Sequence, residues 1–76
     1  MATLVQHEID GTDTFIQAKL ADDYFIMLDP NAKDRCLAKD IHLFKGEDGT
    51  YYLADKDCVV LAVGMTTIRT YINYLL

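Results

Sequence analysis

Few side chains in this 76-residue sequence are suited to chemistry: two histidines, His7 and His42, two cysteines, Cys36 and Cys58, and no serine at all. Covalent catalysis needs a nucleophile with a base in hydrogen-bond reach and an oxyanion donor beside it. Cys58 with His42 is the conventional dyad on offer, and the apolar run Cys58-Val59-Val60-Leu61-Ala62-Val63 works against a thiolate there. Zinc sites announce themselves through ligands about two to four residues apart. Neither cysteine has such a companion, so no metal or cofactor is expected. The adjacent acids Asp22-Asp23 and Glu47-Asp48 would suit acid–base work only inside a closed pocket, and both pairs fall in segments read as turns. Gly46-Glu47-Asp48-Gly49 lacks the lysine, hydroxyl residue and glycine spacing of a phosphate loop. Asp55-Lys56-Asp57 starts like a calcium loop, but Val59, Leu61 and Val63 stand where oxygen donors would be needed.

What the chain has in quantity is carboxylate. Twelve acids lie between Glu8 and Asp57, ten of them aspartate, whereas Cys58 to Leu76 holds none and only Arg69 as a charge. A net charge of −5 disfavours direct contact with nucleic acid phosphates and with anionic membranes, and favours a partner protein with a basic surface. Lys33, Arg35 and Lys39 are interleaved with Asp34 and Asp40 into a mixed, solvated face. Aspartates at hairpin ends are held more rigidly than glutamates on a helix. Asp10, Asp13, Asp22 and Asp23 are therefore the candidate protein-binding residues, expected to gather with Glu8 at one end of a sheet. The same gathering would suit a DNA-mimic inhibitor of a nucleic-acid-binding protein. Aspartate is also common in turns simply because it bonds nearby N–H groups.

The elements that must position these residues follow from periodicity and turn chemistry. Thr3 to Ile9 alternates as a strand, Asp10-Gly11-Thr12-Asp13 reads as a turn, and Thr14 to Leu20 resumes as its hairpin partner. A turn at Ala21-Asp22-Asp23 leads to Tyr24-Phe25-Ile26-Met27-Leu28, read as a short strand because it is rich in aromatic and apolar residues. Asp29 is placed to cap a short helix over residues 30–39, with Pro30 at its first position. Ile41 to Phe44 and Thr50 to Leu53 flank the hairpin turn at Gly46 to Gly49. Cys58 to Val63, apolar on both faces, reads as a central strand. Gly64 ends it, and Thr66 or Thr67 is expected to cap a final helix with Ile68, Tyr71, Ile72, Leu75 and Leu76 on its apolar stripe. A terminal strand competes there, since Ile68, Thr70, Ile72 and Tyr74 also alternate.

The fold class is α+β, one compact domain over residues 1–76: a small antiparallel sheet of short strands with a C-terminal helix packed on one face. A small all-β barrel is the alternative. Reduced cysteines, the lack of any apolar run of ~18 residues and the lack of a basic-then-apolar leader point to a cytoplasmic protein. The expected function is that of a small acidic, non-catalytic protein-binding module, an inhibitor or adaptor acting on a basic protein surface. A thiol- or histidine-dependent enzyme or enzyme subunit is the other class considered. A chain of 76 residues has little core in which to hide its C-terminal run, so Tyr71, Tyr74, Leu75 and Leu76 are expected to form a homodimer contact.

Overall fold

The computed structural model describes residues 2–28 and 31–75. Five strands form an antiparallel meander in chain order: β1 (Ala2–Ile9), β2 (Thr12–Leu20), β3 (His42–Gly46), β4 (Tyr51–Ala54) and β5 (Val60–Val63). A 3-10 helix (Asp22–Met27) and α1 (Ala32–Leu37) fill the connection from β2 to β3, and α2 (Met65–Leu75) follows β5. With five antiparallel strands the first and last run the same way. The sheet curls until they touch: Gln6 pairs with Val59 in a parallel bridge, and the Gln6 N–H donates to the Cys58 carbonyl at 2.7 Å. The α+β reading and its barrel alternative thus describe one object, a nearly closed barrel-like sheet with a C-terminal helix. No helix among the described residues is long and apolar enough to cross a membrane.

Alternation along the strands makes two apolar clusters, one on each side of the sheet. Inside the barrel, Val5, Ala18, Phe44, Tyr52 and Ala54 meet Ile16, Val60 and Val63. Outside it, Leu43, Leu53 and Ala62 are covered by Phe25 of the 3-10 helix, Ala32 and Cys36 of α1, and Ile68 and Ile72 of α2. β5 serves both clusters through a register shift: Leu53 faces Ala62, but Ala54 faces Val60. The extra residue, Leu61, joins Ala62 in the outer cluster.

The turns do what their residues allow. Asp10 and Gly11 both take positive φ, 51° and 80°, the requirement of a two-residue hairpin loop with the twist of its strands. Thr12 and Asp13, read from sequence as turn residues, belong to β2. At the second hairpin the Gly46 N–H donates to the Thr50 carbonyl at 2.8 Å, and Gly49, with φ 87°, closes a three-residue loop. Gly46 itself is needed for space, since a Cβ there would sit 3.0 Å from the Tyr52 ring.

Three local expectations are corrected. Tyr24 to Leu28 is not a strand: the 3-10 spacing sends Phe25 into the core with Leu28 against it and leaves Tyr24 and Met27 exposed, a separation that strand alternation would not give. The β5 segment is not central; its two apolar faces reflect the barrel interior on one side and helical cover on the other. Thr66 and Thr67 lie within the first turn of α2, because Gly64 precedes the helix and its carbonyl accepts the Ile68 N–H at 2.9 Å. The expected cap at Asp29 and first helical position at Pro30 lie outside the described residues.

Candidate functional site

β1 and β2 are longer than the barrel needs. All eight residues of β1 pair with β2, but β2 pairs with β3 only through Ala18, Lys19 and Leu20, opposite Gly46, Lys45 and Phe44. Towards the Asp10-Gly11 turn the hairpin therefore leaves the body as a two-stranded arm, in which every residue from Glu8 to Phe15 is exposed. Its face continuous with the barrel interior carries Val5 and Ile16, then His7, Ile9, Thr12 and Thr14. The outer face carries Leu4, Gln6 and Glu8 beside Asp13, Phe15, Gln17 and Lys19. Leu4 and Phe15 sit diagonally across the two strands and are 55% and 63% exposed. Phe15 is the signal that sequence reading passed over: a large aromatic on the strand parity otherwise held by Asp13, Gln17 and Lys19.

The predicted acidic residues separate into two groups. Asp10 and Asp13 join Glu8 at the arm tip, and Glu8 stands directly opposite Asp13, a like-charge pairing that works against the hairpin. Asp22 and Asp23 follow the other end of β2, roughly 27 Å away along a nine-residue strand. The five acids thus do not gather at one end. Asp23 is fully exposed and 3.8 Å from Lys33. Asp22 is mostly buried and structurally engaged: one carboxylate oxygen accepts the Leu43 N–H at 3.0 Å, and the other lies 2.9 Å from His42 Nδ1. With the Ala21 N–H donating to the Leu43 carbonyl at 2.7 Å, this carboxylate prolongs the β2–β3 ladder and ties the 3-10 helix to it.

The Asp22–His42 pair has the form of an oriented base, but among the described residues no nucleophile is bonded to it. No hydrogen bond joins His42 to Cys58 among the described residues. Cys36 is fully buried, and that burial pushes its thiol up to about 11, with Asp22 raising it further and Arg35 opposing, so it is no nucleophile. Among the described residues no three potential ligands come together in a metal-binding group.

The concave surface lies elsewhere, where β2 and β3 part. Two adjoining clefts of about 310 and 320 Å³ open there, lined by Ile16, Gln17 and Lys19 on one side and Lys45, Glu47, Asp48 and Tyr52 on the other. Lys45 is held over the Tyr24 and Tyr51 rings, 5.5 Å from each centroid. The Asp48 carboxylate accepts the Thr50 N–H at 3.0 Å, a bond that holds its pKa below the usual carboxylate value.

At the C-terminus, Ile68 and Ile72 are the buried stripe of α2, and Tyr71 packs against the same cluster. Arg35 Nη2 donates to the Ile72 carbonyl at 2.8 Å and joins the helix to α1. Leu75, expected on the stripe, is instead 71% exposed, as is Tyr74 at 82%; Leu76 lies outside the described residues. Of the expected self-association set, Tyr74 and Leu75 offer open surface and Tyr71 is engaged within the chain.

Comparison with protein families, with curated proteins and with solved structures gives no match to this chain.

Proposed function

We propose that this protein is a non-catalytic protein-binding module, an inhibitor or adaptor that engages a partner with a basic surface through the arm of β1 and β2. The observation that carries the reading is the arm itself, which exposes Leu4 and Phe15 together on its outer face beside Glu8 and Asp13, and Ile9 on the other face. Large apolar side chains exposed together and rimmed by charge are characteristic of contact surfaces, and the like-charge rim adds nothing to stability. Carboxylates at the tip steer a basic partner inward, and the apolar residues hold it once docked. Asp10 and Asp13 belong to this surface. Asp22 serves the fold, and the dispersal of the acids removes the geometric basis of a DNA mimic.

The test is affinity capture from a lysate at low and high salt, with wild-type protein and with an Asp10→Asn, Asp13→Asn, Phe15→Ser variant. The reading predicts a basic protein retained at low salt, released at high salt and lost with the variant. Retention of only a small molecule or a metal would refute it. A second reading, self-association through α2, is favoured by the exposure of Tyr74 and Leu75. Sedimentation from low to high micromolar concentration tests it, and a single 8.6 kDa species throughout would exclude a dimer.

A further inference from the structure

The free edge of β2 points to the way a partner is held. In an antiparallel ladder successive residues direct their main-chain N–H and C=O groups to alternate sides. The bond from the Ala21 N–H to the Leu43 carbonyl fixes the phase: odd-numbered residues here direct theirs towards β3. The β1 side agrees, since Gln6, an even-numbered residue facing away from β2, donates to Cys58. Lys19 therefore meets Lys45, but Asp13, Phe15 and Gln17 direct their groups to the side that β3 has left, beyond the last pairing at Ala18 and Gly46. That edge borders the clefts walled by Glu47, Asp48 and Tyr52. It carries neither a proline nor a bulge to discourage pairing.

We infer that the arm binds a basic, extended segment of a partner protein by strand addition, antiparallel to β2 along Asp13 to Gln17, in the line that β3 vacates; this rests on the binding-module reading above. Charge selects the occupant. The edge runs from Asp13 on the arm towards Glu47 and Asp48 on the facing turn, so side chains entering beside it meet three carboxylates. A second copy of this chain would bring a second set of the same carboxylates to the junction. An incoming strand presents alternate residues to the two faces. Those opposite Asp13, Phe15 and Gln17 lie on the outer face and take lysine or arginine. Those between them turn towards Ile16 and Tyr52 and take β-branched apolar residues.

The probe is a capped hexapeptide of alternating lysine and valine, added at about 10 mM, roughly ten times a Kd of about 1 mM for a short main-chain contact, with amide exchange followed residue by residue. The inference predicts that exchange at Phe15 and Gln17 slows by about tenfold or more while Thr14 and Ile16, already bonded to β1, are unchanged. N-methylation of the lysine amides, which removes the donors that face β2, should abolish the effect, and a glutamate–valine peptide should produce none. No protection with the lysine–valine peptide, equal protection with its N-methylated form, or protection that rises with protein concentration alone would each overturn strand addition. Gln17→Pro separates this inference from the reading beneath it, because it deletes an outward N–H and no β1–β2 bond. A captured basic partner that still binds this variant at full strength overturns the edge contact and leaves the module standing; absence of any captured partner is the failure of the module reading itself.

Discussion

Strands β3 to β5 carry apolar side chains on both faces and have a cover for each, the barrel interior on one side and the helices on the other. β1 and β2 belong to the same sheet, yet beyond Val5 and Ile16 neither face of their hairpin is covered. Side chains in the first region are committed to folding. In the second they are held in a fixed geometry by the ladder and Asp10-Gly11, but their apolar area and half of the β2 edge remain unused. The difference separates a region committed to stability from one whose surface is left open, and substitutions in the two regions should respond on separate scales.

The largest contrast is between equivalent truncations. Leu43→Ala or Leu53→Ala removes a fully buried side chain from between sheet and helices and should cost about 2–5 kcal/mol, a large share of the stability of so small a domain. Phe15→Ala on the arm should stay within about 0.5 kcal/mol. Urea denaturation of the variants checks both, and a Phe15→Ala cost near that of Leu53→Ala would mean that the arm is packed after all. Next in size is the pair of aspartates near the two ends of β2. Asp22→Ala leaves the Leu43 N–H and His42 without their partner and should cost about 1–3 kcal/mol, whereas Asp13→Ala should be neutral or slightly stabilising, as it relieves Glu8.

How much of this was legible in the sequence follows the same division. The hairpin turns at Asp10-Gly11 and Gly46 to Gly49, the thin stripe of Ala32 and Cys36, and the helix carrying Ile68 and Ile72 were all readable, because local turn chemistry and burial periodicity agree there. Tyr24 to Leu28 misled because a five-residue apolar run has no period of its own; its 3-10 form is set by the need to cross from β2 over the outer face while inserting Phe25. Asp22 looked identical to Asp10 as a turn aspartate. Only the tertiary placement of Leu43 and His42 distinguishes them. The free edge of β2 was invisible for a similar reason: alternation fixes which residues share a face but not where a neighbouring strand ends.

Alkaline pH probes the covered region through Cys36. Its thiol titrates at 9.0 in the unfolded chain and about 11 in the fold, where burial keeps it protonated. The stabilisation is complete below about pH 9 and is lost as the pH rises through 11, since the unfolded state gives up its proton first. The denaturation midpoint should fall between pH 8.5 and about 11, and Cys36→Val should flatten the part of that fall due to the thiol. The smallest effect belongs to the arm tip. Asp13→Lys turns the like-charge pair with Glu8 into an opposite-charge pair and should stabilise the fold by about 0.2–1 kcal/mol while weakening capture of a basic partner; thermal unfolding and capture measured on one sample would show whether the two effects move in opposite directions.

The central claim, that β2 offers an unpaired main-chain edge on an otherwise folded arm, is tested most directly by residue-resolved amide exchange in the free protein at low concentration. The structure predicts an alternation along β2, with Thr14 and Ile16 protected by β1 and Phe15 and Gln17 exchanging near the rate of exposed amides, while Leu53 and Ala62 exchange only on global unfolding. Uniform protection from Thr14 to Gln17 would contradict it, because the edge would then already have a partner.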